Sequence, residues 1–171
     1  MLDHDRLADE LEALHPQCFG WAMACCERGH EMAEDVLHDV YVKVLEGSAR
    51  FSGHSSLKTW LFGVIRTTAS AHRRGDRLRQ LLGVRYTTRR ESAPIAPSPE
   101  DDAVASDRQG RARHALSQLS MRQREVLQLV FYHELTLEEA AVIMNVSIGS
   151  ARTHYHRGKA RLAERLRVDR S

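Results

Sequence analysis

The chain has 171 residues, enough for one average domain or two small ones and too few for a large multidomain enzyme. Its 25 Lys and Arg against 23 Asp and Glu sum to +2, a balance that by itself gives no sign of a nucleic-acid partner. With 42% hydrophobic and 6% aromatic residues in a composition rich in Ala, Leu, Arg and Glu, it favours helices around small cores and argues against a β-rich fold.

The near-neutral sum hides an alternation of sign. Residues 1–50 carry 4 basic and 11 acidic side chains, 66–90 carry 8 and 1, 91–107 carry 0 and 5, and 147–171 carry 7 and 2. No apolar run approaches the ~20 residues that span a bilayer, and Met1-Leu2-Asp3-His4-Asp5 lacks the layout of a signal peptide, so the expectation is a cytoplasmic protein without membrane insertion. Three cysteines do not make a disulfide framework, and Cys25 and Cys26 sit in an apolar stretch that reads as core.

In chain order, apolar residues recur at helical spacing through 3–14, 17–28, 33–46 and 56–74, with Pro16 expected to start a new segment and Gly29, Gly47 and Gly75 at the helix ends. In 33–46 the stripe Ala33, Val36 or Leu37, Val40 and Val44 faces inward, which leaves Asp35, His38, Asp39, Val42 and Lys43 outside. An exposed valine among carboxylates suits a protein interface, with charge for orientation and an apolar centre for burial. A surface helix without a partner is the plainer alternative.

The loop Phe51-Ser52-Gly53-His54-Ser55-Ser56 then leads into Leu57-Lys58-Thr59-Trp60-Leu61-Phe62 and a helix ending near His72-Arg73-Arg74. Aromatics interleaved with cations beside a Gly/Ser loop suit unpaired DNA, in which an unstacked base meets a ring while Lys58 and the arginines hold phosphates. Trp60, Leu61, Val64 and Ile65 at helical spacing equally suit a core. Residues 91–102 hold three of the four prolines without periodicity and read as an extended linker, so the expected division is a helical domain over 1–75, a flexible tether over 76–111 and a second helical domain over 112–171.

In the second block, Ser120-Met121-Arg122-Gln123 and Thr136-Leu137-Glu138-Glu139 both fit the capping box, and Ser147 is a third candidate cap. Met144-Asn145-Val146 is a short turn in which Asn can adopt the left-handed conformation, and Ala141 is small where two helices must approach. That pattern is a helix-turn-helix with 148–163 as the recognition helix. At 3.6 residues per turn Ile148, Ala151, Tyr155, Gly158 and Leu162 project inward. Ser150, Arg152, Thr153, His156, Arg157 and Lys159 are left outward or flanking, where they can meet guanine edges, bases or phosphates. A merely solvated basic helix is the alternative.

Four motifs taken together carry a resemblance. Ala33-Glu34-Asp35-Val36-Leu37-His38-Asp39-Val40-Tyr41, the stretch Phe51-x-Gly-x-Ser-Ser-Leu57-Lys58-Thr59-Trp60-Leu61, Leu119-x-x-Arg122-Gln123-Arg124-Glu125-Val126-Leu127, and Glu138-Glu139-Ala140-Ala141 through Ser147-x-Gly149-Ser150-Ala151-Arg152 to His156-Arg157 resemble a bacterial RNA polymerase sigma factor. The type is the compact, two-domain, extracytoplasmic-function one of the sigma-70 family, matched over roughly 10–75 (region 2) and 112–167 (region 4).

The resemblance implies an all-α transcription initiation factor, neither an enzyme nor dependent on a cofactor or metal, that binds core RNA polymerase and directs it to promoters. By that likeness Asp35, His38, Asp39 and Val42 would meet the clamp helices of the largest subunit. Phe51, Ser55, Ser56, Lys58, Trp60 and Arg66 would capture the melted minus-ten strand, with Arg73 and Arg74 on nearby phosphates. Ser150, Arg152, Thr153, His156, Arg157 and Lys159 would read the minus-thirty-five element, and earlier helices of region 4 would hold the flap of the second-largest subunit. The acidic tether would thread along the polymerase, and an anti-sigma factor joins the candidate partners.

The chain departs from the family pattern in His38 for Gln, Thr67 for Asn, Ser120 for Pro and Ala151 for Val, which bars borrowing a consensus promoter. Two rival classes fit parts of the sequence: a helix-turn-helix regulator that is no polymerase subunit, and a metal enzyme using the ten histidines and three cysteines. The second lacks ligand spacing at His15-x-x-Cys18 and Cys25-Cys26, and no phosphate loop or nucleophile motif occurs.

Overall fold

The computed structural model describes residues 4–27, 29–82, 110, 112 and 114–168. The chain divides into two compact units, Met1–Ser92 and Ala93–Ser171. Both are helical, and no strand occurs among the described residues.

The first unit is three helices packed against one another: α1 (His4–Cys25), α2 (His30–Leu45) and α3 (Leu57–Leu81). Trp21 of α1 is fully buried between them, its ring stacked 5.7 Å from that of Phe62. Its Nε1 donates to the Phe62 carbonyl at 3.0 Å, so the largest core side chain also has its polar atom satisfied. Ala33, Val36, Leu37, Val40 and Val44 are all buried, as the periodicity of α2 predicts. On α3 the buried set is Thr59, Leu61, Phe62, Ile65, Thr68 and Ala69, whereas Trp60 and Val64 are half-buried. Each large apolar side chain taken from water contributes about 1.5–3 kcal/mol, so these few residues carry most of the unit's cohesion.

Two boundaries differ from the sequence expectation. Pro16 does not start a segment; it lies inside one continuous helix. Leu11, Cys18, Trp21, Ala22 and Cys25 are buried on both sides of it, so tertiary packing outweighs the missing hydrogen bond, and Pro16 and Glu12 are exposed, where water can serve the freed carbonyl. Likewise α3 runs through Gly75 to Leu81 and takes the first six residues assigned to the tether. Gly75 has open space around its Cβ position, and Asp76 pairs with Arg79 one turn on, so nothing there stops the helix. The remainder of the proposed tether lies almost wholly outside the described residues.

In the second unit a helical stretch at 114–117 precedes α4 (Met121–Phe131), α5 (Leu137–Met144) and α6 (Ile148–Val168). Both capping boxes form: Ser120 with Gln123, and Thr136 with Glu139. Helix α4 stops at Phe131 because the amides of Tyr132 and His133 both bond the Gln128 carbonyl and Glu134 turns left-handed at φ 56, which buries Leu135. Asn145 adopts the expected left-handed conformation, φ 51 and ψ 54, between α5 and α6. Arg122 Nη1 donates to the Met144 carbonyl at 2.9 Å and ties α4 to the end of α5.

Candidate protein and nucleic-acid interfaces

Asp35, His38, Asp39 and Val42 are spaced i, i+3, i+4 and i+7, hence share one face of α2. Asp35, His38 and Val42 are exposed and Asp39 half-exposed; Leu45, at 43% exposed, extends the apolar centre that Val42, at 37%, begins. Asp39 is not idle: its Oδ2 lies 2.7 Å from Nε2 of His72 on α3. Lys43 donates to Thr68 Oγ1 at 3.3 Å across the same seam. The outer face of α2 is therefore braced to α3 by two polar contacts, neither visible in sequence spacing.

The loop at 51–56 turns through Gly53 at φ 76, a conformation that favours glycine. Phe51 and Trp60 are half-buried with ring centroids 5.5 Å apart, an aromatic pair at the junction of loop and helix. Ser56 is the N-cap of α3, accepting from the Thr59 amide at 3.1 Å and donating to Thr59 Oγ1 at 2.8 Å. Its hydroxyl thus closes the helix first, while Ser55 donates to the Ser56 carbonyl at 3.2 Å. Lys58 Nζ sits 5.7 Å from the centroid of the Phe62 ring, a cation–π contact.

Along α3 the nominated cations separate. Trp60, Gly63, Thr67 and Arg74 recur at i, i+3, i+7 and i+14, one stripe on which Thr67 and Arg74 are exposed and Trp60 and Gly63 half-exposed. Arg66 and Arg73 are half-buried on another edge. There Arg73 donates to the carbonyl of Cys25, the last residue of α1, so it caps a helix end where a free phosphate ligand was expected. Arg74 keeps its exposure and donates to Ser70 Oγ at 2.8 Å. In the core of this unit, burial pushes the Cys18 thiol up to about 12 and the Cys26 thiol up to about 11, which disfavours their thiolates, and it also raises Tyr41.

In the second unit α6 presents Ser150, Arg152, Thr153, His156, Arg157 and Lys159, all exposed. Ala151 and Gly158 are buried, with Ile148, Tyr155 and Leu162 half-buried, so the projected inward and outward faces fall where the helix period puts them. Ser147 Oγ accepts from the Ser150 amide at 3.1 Å and opens the helix. Gly158 lets α6 close on α4, since a Cβ there would lie 3.2 Å from Leu127 Cδ1 and 3.3 Å from Gln123 Cβ. Arg152 Nη2 reaches Glu138 Oε1 of α5 at 3.4 Å, and Lys159 Nζ stands 5.6 Å from the centre of the Tyr155 ring. The sequence missed Glu138 as Arg152's partner and His72 as Asp39's, because capping and periodicity report local spacing and these pairs join different helices. Phe131 and Tyr132, 61% and 70% exposed, and Val142 at 63% are large apolar groups left uncovered on this unit.

The sequence matches the family described as sigma-70 region 2 over residues 11–79 and that described as sigma-70, region 4 over 109–162. It is 30% identical to the RNA polymerase sigma factor YlaC of Bacillus subtilis over 146 residues, covering 82% of this chain and 80% of that protein. To the RNA polymerase sigma factor CarQ of Myxococcus xanthus it is 30% identical over 162 residues, 92% and 88% of the two chains. Among solved structures, the sigma factor RpoE of Bartonella quintana, in complex with the anti-sigma factor NepR, superposes with a TM-score of 0.70 at 29% identity, covering 95% of this chain and 98% of that one. The chain belongs to the bacterial RNA polymerase sigma factors of the sigma-70 family, extracytoplasmic-function type. It is a transcription initiation factor that directs polymerase to promoters, which disfavours a helix-turn-helix regulator acting outside the polymerase. No helix among the described residues is long and apolar enough to cross a membrane.

Proposed function

We propose that the two units divide promoter recognition and polymerase binding between them. The α2 face of Asp35, His38, Asp39 and Val42 docks on the clamp helices of the largest polymerase subunit, with Leu45 widening its apolar centre. The loop at Phe51–Ser56 and the α3 stripe of Trp60, Thr67 and Arg74 receive the unpaired strand of the minus-ten element, a base entering beside the Phe51–Trp60 pair while Lys58, Arg66 and Arg74 attract phosphates. The exposed side of α6 reads the minus-thirty-five element from the major groove, and Phe131, Tyr132 and Val142 offer the apolar surface that the flap of the second-largest subunit covers.

The observation that carries this reading is the clean partition of α6: six polar side chains stand exposed on a helix whose small residues, Ala151 and Gly158, are buried against the helices before it. An anti-sigma factor is a fitting further partner, since the solved relative from Bartonella quintana is held by one. Run-off transcription with purified core polymerase on genomic fragments tests the reading. Initiation at discrete sites that depends on bases in both elements supports it; core enzyme plus this protein initiating nowhere overturns it. Within such a site, Arg152→Ala is expected to cost about 1–3 kcal/mol at one minus-thirty-five base pair.

A further inference from the structure

We infer that Glu138 is the positioning residue for Arg152 in reading the upstream promoter element, turning its guanidinium toward base edges and away from phosphates. The inference rests on α6 being the recognition helix. Two carboxylates occupy the first turn of α5, Glu138 and Glu139. Glu139 is committed to the cap, accepting from the Thr136 amide at 2.9 Å and the Thr136 hydroxyl at 3.0 Å. Glu138 instead crosses the helix-turn-helix to Arg152 at 3.4 Å, a link of fourteen residues between the two helices of the motif.

The pair is exposed, at 66% for Glu138 and 58% for Arg152, so it contributes little to stability. Its effect falls on orientation. Arginine carries five donors in a planar fork, and holding one of them leaves the others aimed in a restricted direction, the condition for a bidentate contact with guanine O6 and N7. The neighbouring hydroxyls are held locally, Thr153 donating to the Gly149 carbonyl at 2.9 Å and Ser150 accepting from the Ser147 hydroxyl at 2.9 Å. Arg152 is the long side chain of that turn whose direction is set from another helix. A carboxylate beside it also repels DNA phosphates of any sequence, so the same group restrains non-specific binding.

The test uses the full chain with core polymerase, a pool of duplexes randomised through the upstream element, and one fixed duplex of arbitrary sequence. With Glu138→Gln, preference at one base pair falls about three- to tenfold. Binding to the arbitrary duplex tightens, and its slope of log K against log salt steepens by about 0.9 as Arg152 gains a phosphate. In an Arg152→Ala background Glu138→Gln changes neither readout, and the thermal midpoint stays put throughout. An unchanged preference and salt slope in Glu138→Gln overturns the inference while leaving the recognition helix intact. A lowered midpoint with uniform loss of binding also overturns it, as a merely structural role. Arg152→Ala without any effect on sequence selection removes both the inference and the recognition-helix reading beneath it.

Discussion

Ser56 shows how a side chain nominated for one duty is first occupied by another. A loop hydroxyl before a basic helix suits nucleic acid, yet the four unpaired amides that every helix start exposes compete for it, and here the Thr59 amide takes it. Ser56→Ala is therefore expected to lower the stability of the first unit by about 1 kcal/mol, read from urea unfolding, and Ser56→Asp to restore it as an alternative cap. Arg73 is a parallel case at the other end of a helix, its guanidinium on the final carbonyl of α1. Arg73→Ala should loosen the junction of α1 with α3, whereas Arg74→Ala, at an exposed position, should weaken DNA binding alone; comparing unfolding midpoints with affinity for single-stranded DNA separates them. Neither Arg73's duty nor the Asp39–His72 pair is legible in the sequence, because both depend on which helix lies alongside.

At the scale of elements, the legible features were those with a local cause. The capping boxes at Ser120 and Thr136 formed because their residues are three apart, and Asn145 is left-handed because Asn tolerates that region. Pro16 and Gly75 have a common lesson: both weaken a helix locally, but the core residues on either side of Pro16 outweigh that weakness, and nothing packed against Gly75 adds to it. Gly158 argues the opposite way, its smallness enforced by a neighbour 3.2 Å from where a Cβ would sit. Gly158→Val should destabilise the second unit by about 1–3 kcal/mol and lift α6 from α4, seen as a lowered denaturation midpoint and reduced duplex binding. The exposed side of α6 follows from its period, while the α3 surface follows only in part, since the exposed Thr67 shares the Trp60 stripe and Arg73 is half-buried with its guanidinium on the Cys25 carbonyl.

For the whole molecule the charge alternation acquires places. The acidic segment contains the α2 face, residues 66–81 of one basic segment lie in α3, residues 148–168 of the other lie in α6, and the acidic stretch 91–107 falls outside the described residues. Asp39→Arg is expected to abolish association with core polymerase in a pull-down. His72→Leu serves as its control, since it removes the same internal pair without reversing charge on the α2 face. Deleting 91–107 should impair the passage from abortive to productive transcription and spare promoter binding, as gel analysis of short and run-off products would show.

Alkaline conditions act on the buried thiols. Cys18 holds its proton up to about 12 against an ordinary 9.0, so the unfolded chain is first to release a proton as pH rises. The stability this represents is complete below about pH 9 and declines from there toward 12, a fall in the urea midpoint that Cys18→Ala should reduce.

The burial of Trp21 gives the molecule a built-in optical division of labour. The chain has two tryptophans. One is sealed between three helices and stacked on Phe62, and the other stands half-open beside Phe51 where an unstacked base would arrive. Aqueous iodide should therefore dim Trp60 emission and spare that of Trp21 until the helices separate. A strand of DNA seated on the loop should shield Trp60 from iodide, so that a single fluorescence titration reports promoter capture and unfolding on two separate chromophores.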